Sequence, residues 1–116
     1  MNSVALTGNL CTDVDLKEPS GEKRVAGFLL AVDRPTKEGG ADFVRVSVWD
    51  RQAEVCAQYL GKGKRVGIEG RLRSRSWEDD GKRRSAVEVV ANRVEFLFAG
   101  DGGAPAEVPF EEAAAA

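Results

Sequence analysis

The sequence predicts a mainly β protein, a five-stranded barrel with one short helix between the third and fourth strands. Apolar and polar residues alternate in short runs from the N-terminus to about residue 98. Glycine, proline and aspartate separate these runs, which is typical of strands joined by turns. Residues 51–60 instead have apolar side chains at helical spacing. A chain of 116 residues is long enough for one domain with its own core.

The first two predicted strands lie in the N-terminal third of the chain. The first spans residues 3–10 with a continuation at residues 14–17, and Gly8 marks a bend where it turns a corner of the barrel. A turn at residues 18–22 leads to the second strand, residues 24–33. The predicted core face of this strand consists of Ala26, Phe28, Leu30 and Val32. Its other face is also apolar, so we expect a neighbouring subunit or a ligand to cover it.

The third predicted strand, residues 42–49, alternates between two different kinds of side chain. One face carries Val44, Val46 and Val48. The other face carries Phe43, Arg45, Ser47 and Trp49. Because the valines form an obvious core face, the aromatic and basic side chains are expected to face something other than the core.

A helix and two further strands complete the predicted barrel. Asp50 is a predicted N-cap, the helix spans residues 51–60, and Gly61 follows its end. The fourth strand, residues 64–77, is predicted to set Val66, Ile68, Gly70 and Leu72 inward. Its outward face carries Arg65, Gly67, Glu69, Arg71, Arg73, Arg75 and Trp77. A turn at residues 79–82 leads to the fifth strand, residues 84–97.

Positive charge is concentrated in one part of the chain, although the net formal charge is −2. Residues 1–98 carry +2, and the last 18 residues carry −4. Between residues 62 and 84, nine basic side chains stand against four acidic ones. The distribution of charge, rather than its sum, determines whether a surface attracts a polyanion.

The composition argues against enzymes, metal proteins and membrane proteins. The chain has no histidine, and Cys11 and Cys56 form no CxxC pair, so no metal or other cofactor is predicted and both thiols are expected to be reduced. Glu69 and residues 78–80 could be interpreted as the acids of a hydrolase, but a solvated hairpin turn explains them. No segment resembles a signal peptide or a membrane span, which predicts a cytoplasmic location.

The outward faces of the third and fourth strands predict a surface for single-stranded nucleic acid. Stacking on an aromatic ring contributes roughly 1–3 kcal/mol per base whatever the sequence, and arginine neutralises phosphates. The predicted base-stacking residues are Phe43, Trp49 and Trp77. The predicted phosphate contacts are Arg45, Arg71, Arg73, Arg75, Arg83 and Arg84.

The order of three strands, one helix and two strands fits the OB-fold, a Greek-key barrel that binds oligonucleotides. This assigns residues 1–98 to an OB-fold binding domain. Residues 99–116 are rich in glycine, alanine, proline and glutamate without periodicity, which predicts a flexible acidic tail. The surface alone leaves open whether DNA or RNA is bound, or whether the barrel mainly contacts proteins.

Six segments resemble the bacterial single-stranded DNA-binding proteins (SSB) in their order and spacing. They are residues 4–10, 28–32, 43–46, 53–63 and 66–73, and Trp77. The resemblance implies a homotetramer, or a homodimer, that coats and protects single-stranded DNA without sequence specificity in replication, recombination and repair. Phe43, Trp49 and Trp77 fall where the family has base-stacking aromatics. A further aromatic that many members carry is absent from residues 34–37.

The C-terminal tail also resembles that of the family. Members end in an acidic stretch closing on Pro-Phe, whose terminal carboxylate docks into partner proteins. The similar residues here are Glu107, Val108, Pro109 and Phe110. Residues 111–116 follow the phenylalanine and displace the terminal carboxylate. The resemblance implies DNA replication and repair proteins as partners of this tail.

Overall fold

A computed structural model describes residues 1–18 and 23–98 of the chain. Most of the predicted turn at residues 18–22 and the whole predicted tail lie outside the described residues. The elements are β1 (Val4–Leu10), β2 (Asp15–Lys17), β3 (Val25–Asp33), β4 (Ala41–Trp49), α1 (Asp50–Tyr59), β5 (Arg65–Asp79) and β6 (Lys82–Phe96). The predicted first strand and its continuation are thus the separate strands β1 and β2.

The strands close into a barrel because β1 pairs with two partners. The sheet order is β1-β5-β6-β4-β3-β2, and β1 pairs again with β3 through Asn9 and Leu10. Five strands therefore form a closed ring, and β2 pairs with β3 outside it. The β4–β6 pair is parallel and the other pairs are antiparallel. The predicted five-stranded OB-fold barrel, with its helix between the third and fourth strands of the ring, is confirmed.

Two glycines allow backbones to approach closely in this ring. A β-carbon on Gly8 would lie 2.2 Å from the carbonyl oxygen of Ala31, where β1 passes from β5 to β3. A β-carbon on Gly70 would lie 2.1 Å from the carbonyl oxygen of Val90, beside an irregularity in the β5–β6 pair. Only glycine fits at these positions without movement of the backbone. The corner predicted at Gly8 agrees with this change of partner.

A bulge in β6 changes which of its side chains face the core. Residues 69 and 70 of β5 pair with residues 93 and 91 of β6, which leaves Asn92 as the extra residue. Before the bulge, Val89 is buried in the core, and after it Val94 is. The core-facing positions therefore switch from odd to even numbers. Glu88 precedes the bulge and faces outward for this reason.

The core is mainly aliphatic but includes Phe28 and Phe96, and α1 covers part of it. The largest fully buried side chains of the strands are Phe28, Leu30, Val46, Val48, Val66, Ile68, Val89 and Val94. The helix adds Ala53 and Cys56, neither of which has exposed surface. The predicted core faces of the second and third strands are confirmed, with Val32 and Val44 partly buried against the core.

The start of α1 differs from the prediction. The helix begins at Asp50, and its N-cap is Trp49, whose side chain makes no capping hydrogen bond. The backbone N–H of Asp50 donates to the carbonyl oxygen of Arg24 at 2.7 Å. Asp50 has a φ of 58°, a left-handed conformation that aspartate tolerates better than most residues. β4 therefore leads directly into the helix, and the prediction that Asp50 caps it is wrong.

The β5–β6 hairpin, residues 71–90, is called the arm below. Its two-residue turn has Asp80 and Gly81 at φ angles of 52° and 76°, which are typical of hairpin turns, so the predicted turn is confirmed. Leu72, predicted to face the core, is 47% exposed, and Val87 on the same side of the arm is 61% exposed. Alternation correctly predicts the side of β5 on which Leu72 lies. On the arm, however, the described residues leave this side largely exposed.

Replacing Gly70 with alanine should lower the free energy of unfolding by about 1–3 kcal/mol, because the new β-carbon would overlap the backbone of Val90. Urea unfolding at one protein concentration measures this loss. Gly67→Ala on the same strand is the control, since its β-carbon would meet its nearest atom at 3.6 Å, an ordinary contact distance. Equal stability of the two variants would contradict the close approach at Gly70.

Burial raises the pKa of the Cys56 thiol from 9.0 to about 12. Because the thiolate is the reactive form, Cys56 should resist a thiol reagent at pH 8 in the folded protein and react faster only as the pH approaches the raised pKa. The background variant Cys11→Ser removes the other thiol, which is only partly buried. Denaturant should expose one reactive thiol in this variant. Rapid reaction at pH 8 without denaturant would show that Cys56 is not buried.

Candidate nucleic-acid interface

Five strands form a groove of about 230 Å³ on the outer face of the barrel. Its lining consists of Asp15, Lys17, Val25, Gly27, Arg45, Ser47, Trp49, Arg73, Arg75 and Glu88. These residues come from β2, β3, β4, β5 and β6. We call this site the groove.

Strand alternation and sheet order together place these side chains. Arg45 and Trp49 alternate with the core valines of β4, so they face outward. β6 lies between β4 and β5, and its outward Glu88 is directly opposite Arg73 of β5. The two strands on which the sequence predicts aromatic and arginine side chains therefore contribute to one surface, with β6 between them.

Arg73 is held between a carboxylate and an indole ring. Its Nη2 donates to Oε1 of Glu88 at 2.5 Å, and the Glu88 side chain is only 5% exposed. Its Cζ lies 5.7 Å from the ring centroid of Trp49, within the range of a cation–π contact. Its Nε is buried and has no hydrogen-bond partner among the described residues. The carboxylate of Glu88 thus neutralises the charge of this guanidinium, and the carboxylate and the indole together fix its orientation.

Three other predicted arginines keep their charge available, two in the groove lining and Arg71 outside it. Arg45, Arg71 and Arg75 are exposed, and no carboxylate of residues 1–18 or 23–98 pairs with them. Arg75 packs on Trp77 with its Cζ 5.4 Å from the ring centroid. Trp77 is 42% exposed on the arm. The surface therefore combines accessible aromatic faces with arginines that are not already neutralised.

Arg71 and Trp77 are not part of the groove lining, and three further predicted residues also lie around the groove. Arg84 is directly opposite Trp77 on the arm, with its Nε 3.2 Å from Oδ2 of Asp79. Phe43 is 65% exposed on the outer face of β4, beyond the lining. Arg83 is on the opposite side of the arm and donates to Oγ of Ser76 at 3.1 Å. The structure therefore does not bring Arg83 together with the others.

The predicted partner-docking residues of the tail lie outside the described residues, so the structure does not place them. They are Glu107, Val108, Pro109 and Phe110.

The sequence does not assign Glu88 or Lys17 to the site. Glu88 is the one charged residue in the otherwise apolar run of residues 86–91, and a lone carboxylate in such a run is a signal for a buried ion pair. Because the bulge at Asn92 reverses the alternation, the sequence pattern does not show which way Glu88 faces. Lys17 lies on the short strand β2, which carries no alternating pattern long enough to assign a face.

The groove is suited to binding rather than to bond-breaking chemistry. Its lining offers guanidinium groups, an indole face and one buried carboxylate. No group of three or more potential metal ligands is found in the part of the chain that the structure describes. No helix in that part is both long and apolar enough to cross a membrane.

An OB-fold barrel with an aromatic and basic outer face is a domain that holds single-stranded nucleic acid. Residues 1–97 match the model of the single-strand binding protein family. The chain belongs to this family. The resemblance inferred from the sequence is confirmed, and the family is one of DNA-binding proteins rather than enzymes.

Several named relatives share most of this chain. It is 47% identical over 102 residues to single-stranded DNA-binding protein 3 of Clostridium acetobutylicum, a match covering 84% of this chain and 71% of the relative. It is 49% identical over 102 residues to the single-stranded DNA-binding protein of Clostridium tetani, with 84% and 70% covered. The protein of that name from Treponema pallidum is 40% identical over 109 residues, with 90% and 62% covered.

Proposed function

We propose that this protein coats and protects single-stranded DNA in replication, recombination and repair, and that it holds the strand in the groove and along the arm. One observation carries the site assignment. The barrel brings Arg45 and Trp49 of β4 into the same groove as Arg73 and Arg75 of β5. Stacking surface and positive charge therefore lie side by side, which is the combination that binding of any single-stranded sequence requires.

Three aromatic side chains provide the stacking surface in this proposal. Phe43 and Trp77 are well exposed, and Trp49 is partly exposed at the groove wall. Every base has a π-face, so these rings accept bases without selecting a sequence. Phe43 lies on β4 and Trp77 on the arm, both outside the groove lining, so they extend the stacking surface beyond the groove.

Arginines on the same outer face provide the phosphate contacts. Arg45, Arg71 and Arg75 carry charge that no described carboxylate neutralises. Arg84 extends this surface beside Trp77 on the arm. A strand would reach Arg83 only by passing around the arm. Arg73, also among the predicted phosphate contacts, is neutralised by Glu88 and is considered separately below.

The remaining parts of the proposal concern assembly and partners. Residues 1–98 form the binding domain, and residues 99–116 act as an acidic tail whose residues 107–110 dock onto DNA replication and repair proteins. The protein assembles as a homotetramer, with a homodimer as the alternative. The exposed Leu72 and Val87, which lie on the side of the arm away from the groove, support self-association. A protein that coats bacterial DNA acts in the cytoplasm.

Adding oligo(dT) should quench the tryptophan emission to a stoichiometric end point, because both tryptophans lie at the proposed site. With Arg45, Arg71 and Arg75 contacting phosphates, log K should fall with log salt concentration with a slope of about −2 per protomer. Titrations at several salt concentrations measure both quantities. Poly(rU) in parallel tests whether RNA binds as well. The absence of any emission change at low salt with either polymer would refute the binding site.

Replacing Trp77 with alanine should weaken oligo(dT) binding by about 1–3 kcal/mol per site through loss of stacking. The anisotropy of a dye-labelled oligonucleotide measures the affinity independently of tryptophan emission. Trp77→Phe is the matched control, since it keeps an aromatic face and should retain most of the affinity. An alanine variant that binds as tightly as the wild type would exclude Trp77 from the site.

A further inference from the structure

The groove contains a carboxylate that phosphate binding alone does not explain. Glu88 lines the groove and is only 5% exposed, so its charge lies within a surface proposed to bind a polyanion. A buried charge is costly unless it is paired and hydrogen-bonded. Glu88 satisfies this condition through Arg73. Unpaired, this charge would oppose an approaching phosphate, so the role of Glu88 lies in its effect on Arg73.

Arg73 differs from the other groove arginines in having its charge already paired with a carboxylate. Nη2 is 2.5 Å from Glu88, and Nε is buried from solvent. The guanidinium lies over Trp49. Arg45 and Arg75, by contrast, are exposed and have no carboxylate partner among the described residues. A phosphate approaching the groove therefore meets available charge at Arg45 and Arg75 but not at Arg73.

The contact with Trp49 gives this ion pair a function. An indole at a groove wall stacks on a base at a lower entropic cost when its ring is already held in one orientation. A guanidinium on one part of the ring restricts that orientation, and a buried carboxylate fixes the guanidinium in turn. Glu88, Arg73 and Trp49 thus form a chain of contacts from the buried side of the groove to its open wall.

We propose that Glu88 and Arg73 are positioning residues, in which Glu88 holds the Arg73 guanidinium against Trp49 so that the indole is presented to a base. This assignment rests on the proposed function of the groove. Arg73 then acts through Trp49, and phosphate is neutralised by Arg45 and Arg75 instead.

The salt dependence of oligo(dT) binding separates a positioning arginine from a phosphate contact. Arg75→Gln should reduce the magnitude of the slope of log K against log salt by about 0.7, the value for one phosphate on single strands. Arg73→Gln should leave the slope unchanged while weakening binding about three- to tenfold at every salt concentration. Glu88→Gln keeps the side-chain size and an accepting oxygen but releases the charge of Arg73. It should therefore increase the magnitude of the slope by about 0.7.

A second measurement needs no DNA. In the Trp77→Phe background, all tryptophan emission comes from Trp49, because the chain has only two tryptophans. Adding Arg73→Gln should shift this emission and increase its quenching by acrylamide, since the guanidinium no longer shields the ring. Arg73→Lys keeps a cation near Glu88 but lacks the planar group, and it should give the same change. Thermal unfolding of each variant establishes that it is folded.

The outcomes distinguish this inference from the function on which it rests. If Arg73→Gln lowers the salt slope as much as Arg75→Gln does, Arg73 is a phosphate contact and the inference is overturned, while the groove remains a DNA site. Unchanged Trp49 emission in the folded Gln and Lys variants of Arg73 would also overturn it. Failure of the wild type to bind oligo(dT) would refute the proposed function, and the DNA-free measurement would still decide the arrangement of Arg73 and Trp49.

Discussion

Closure of the ring by β1 is the constraint on which the rest of the molecule depends. β1 pairs with β5 along most of its length and with β3 at its end, and this requires the backbone at Gly8 to touch that of Ala31. The closed ring divides every strand into an inner face and an outer face. Mainly aliphatic side chains fill the inside, so the outer faces of adjacent strands remain for polar groups and for Phe43, Trp49 and Trp77. The groove forms where the outer faces of β3, β4, β5 and β6 meet, with β2 beside β3.

The bulge at Asn92 connects the fold to the chemistry of the groove. Without the extra residue, a strand with Val94 inside would also direct Glu88 inward, where none of the described residues places a cation. The bulge reverses the alternation, so that Val89 fills the core and Glu88 lies opposite Arg73. Gly70 permits the close approach of the backbones beside this irregularity. A local feature of strand pairing therefore decides whether the carboxylate is an unpaired buried charge or part of the site.

Alternation predicted most of the fold and the surface, because several strands have one purely aliphatic face. Because the valines of β4 face the core, Arg45 and Trp49 face outward. This direction can be predicted without knowing which strands lie beside β4. Where the side of a strand on which a residue lies depends on strand pairing, the sequence alone does not predict it. The two-residue turn places Trp77 opposite Arg84, so Arg83 falls on the other side of the arm. Leu72 lies on the side of β5 that alternation predicts, but it is 47% exposed. Alternation does not indicate where a hairpin extends beyond the core of the barrel.

The proposed site divides the groove by charge, and this division explains how one surface can bind any sequence. The paired Glu88 and Arg73 offer a phosphate no net charge on the buried side, while Arg45 and Arg75 attract it at positions exposed to solvent. The sugar–phosphate backbone is therefore favoured along the exposed side, and the bases are directed towards Trp49. Stacking and charge are both insensitive to base identity. In this proposal Glu88 contributes to binding by holding Arg73 against Trp49, although its own charge has the same sign as the ligand.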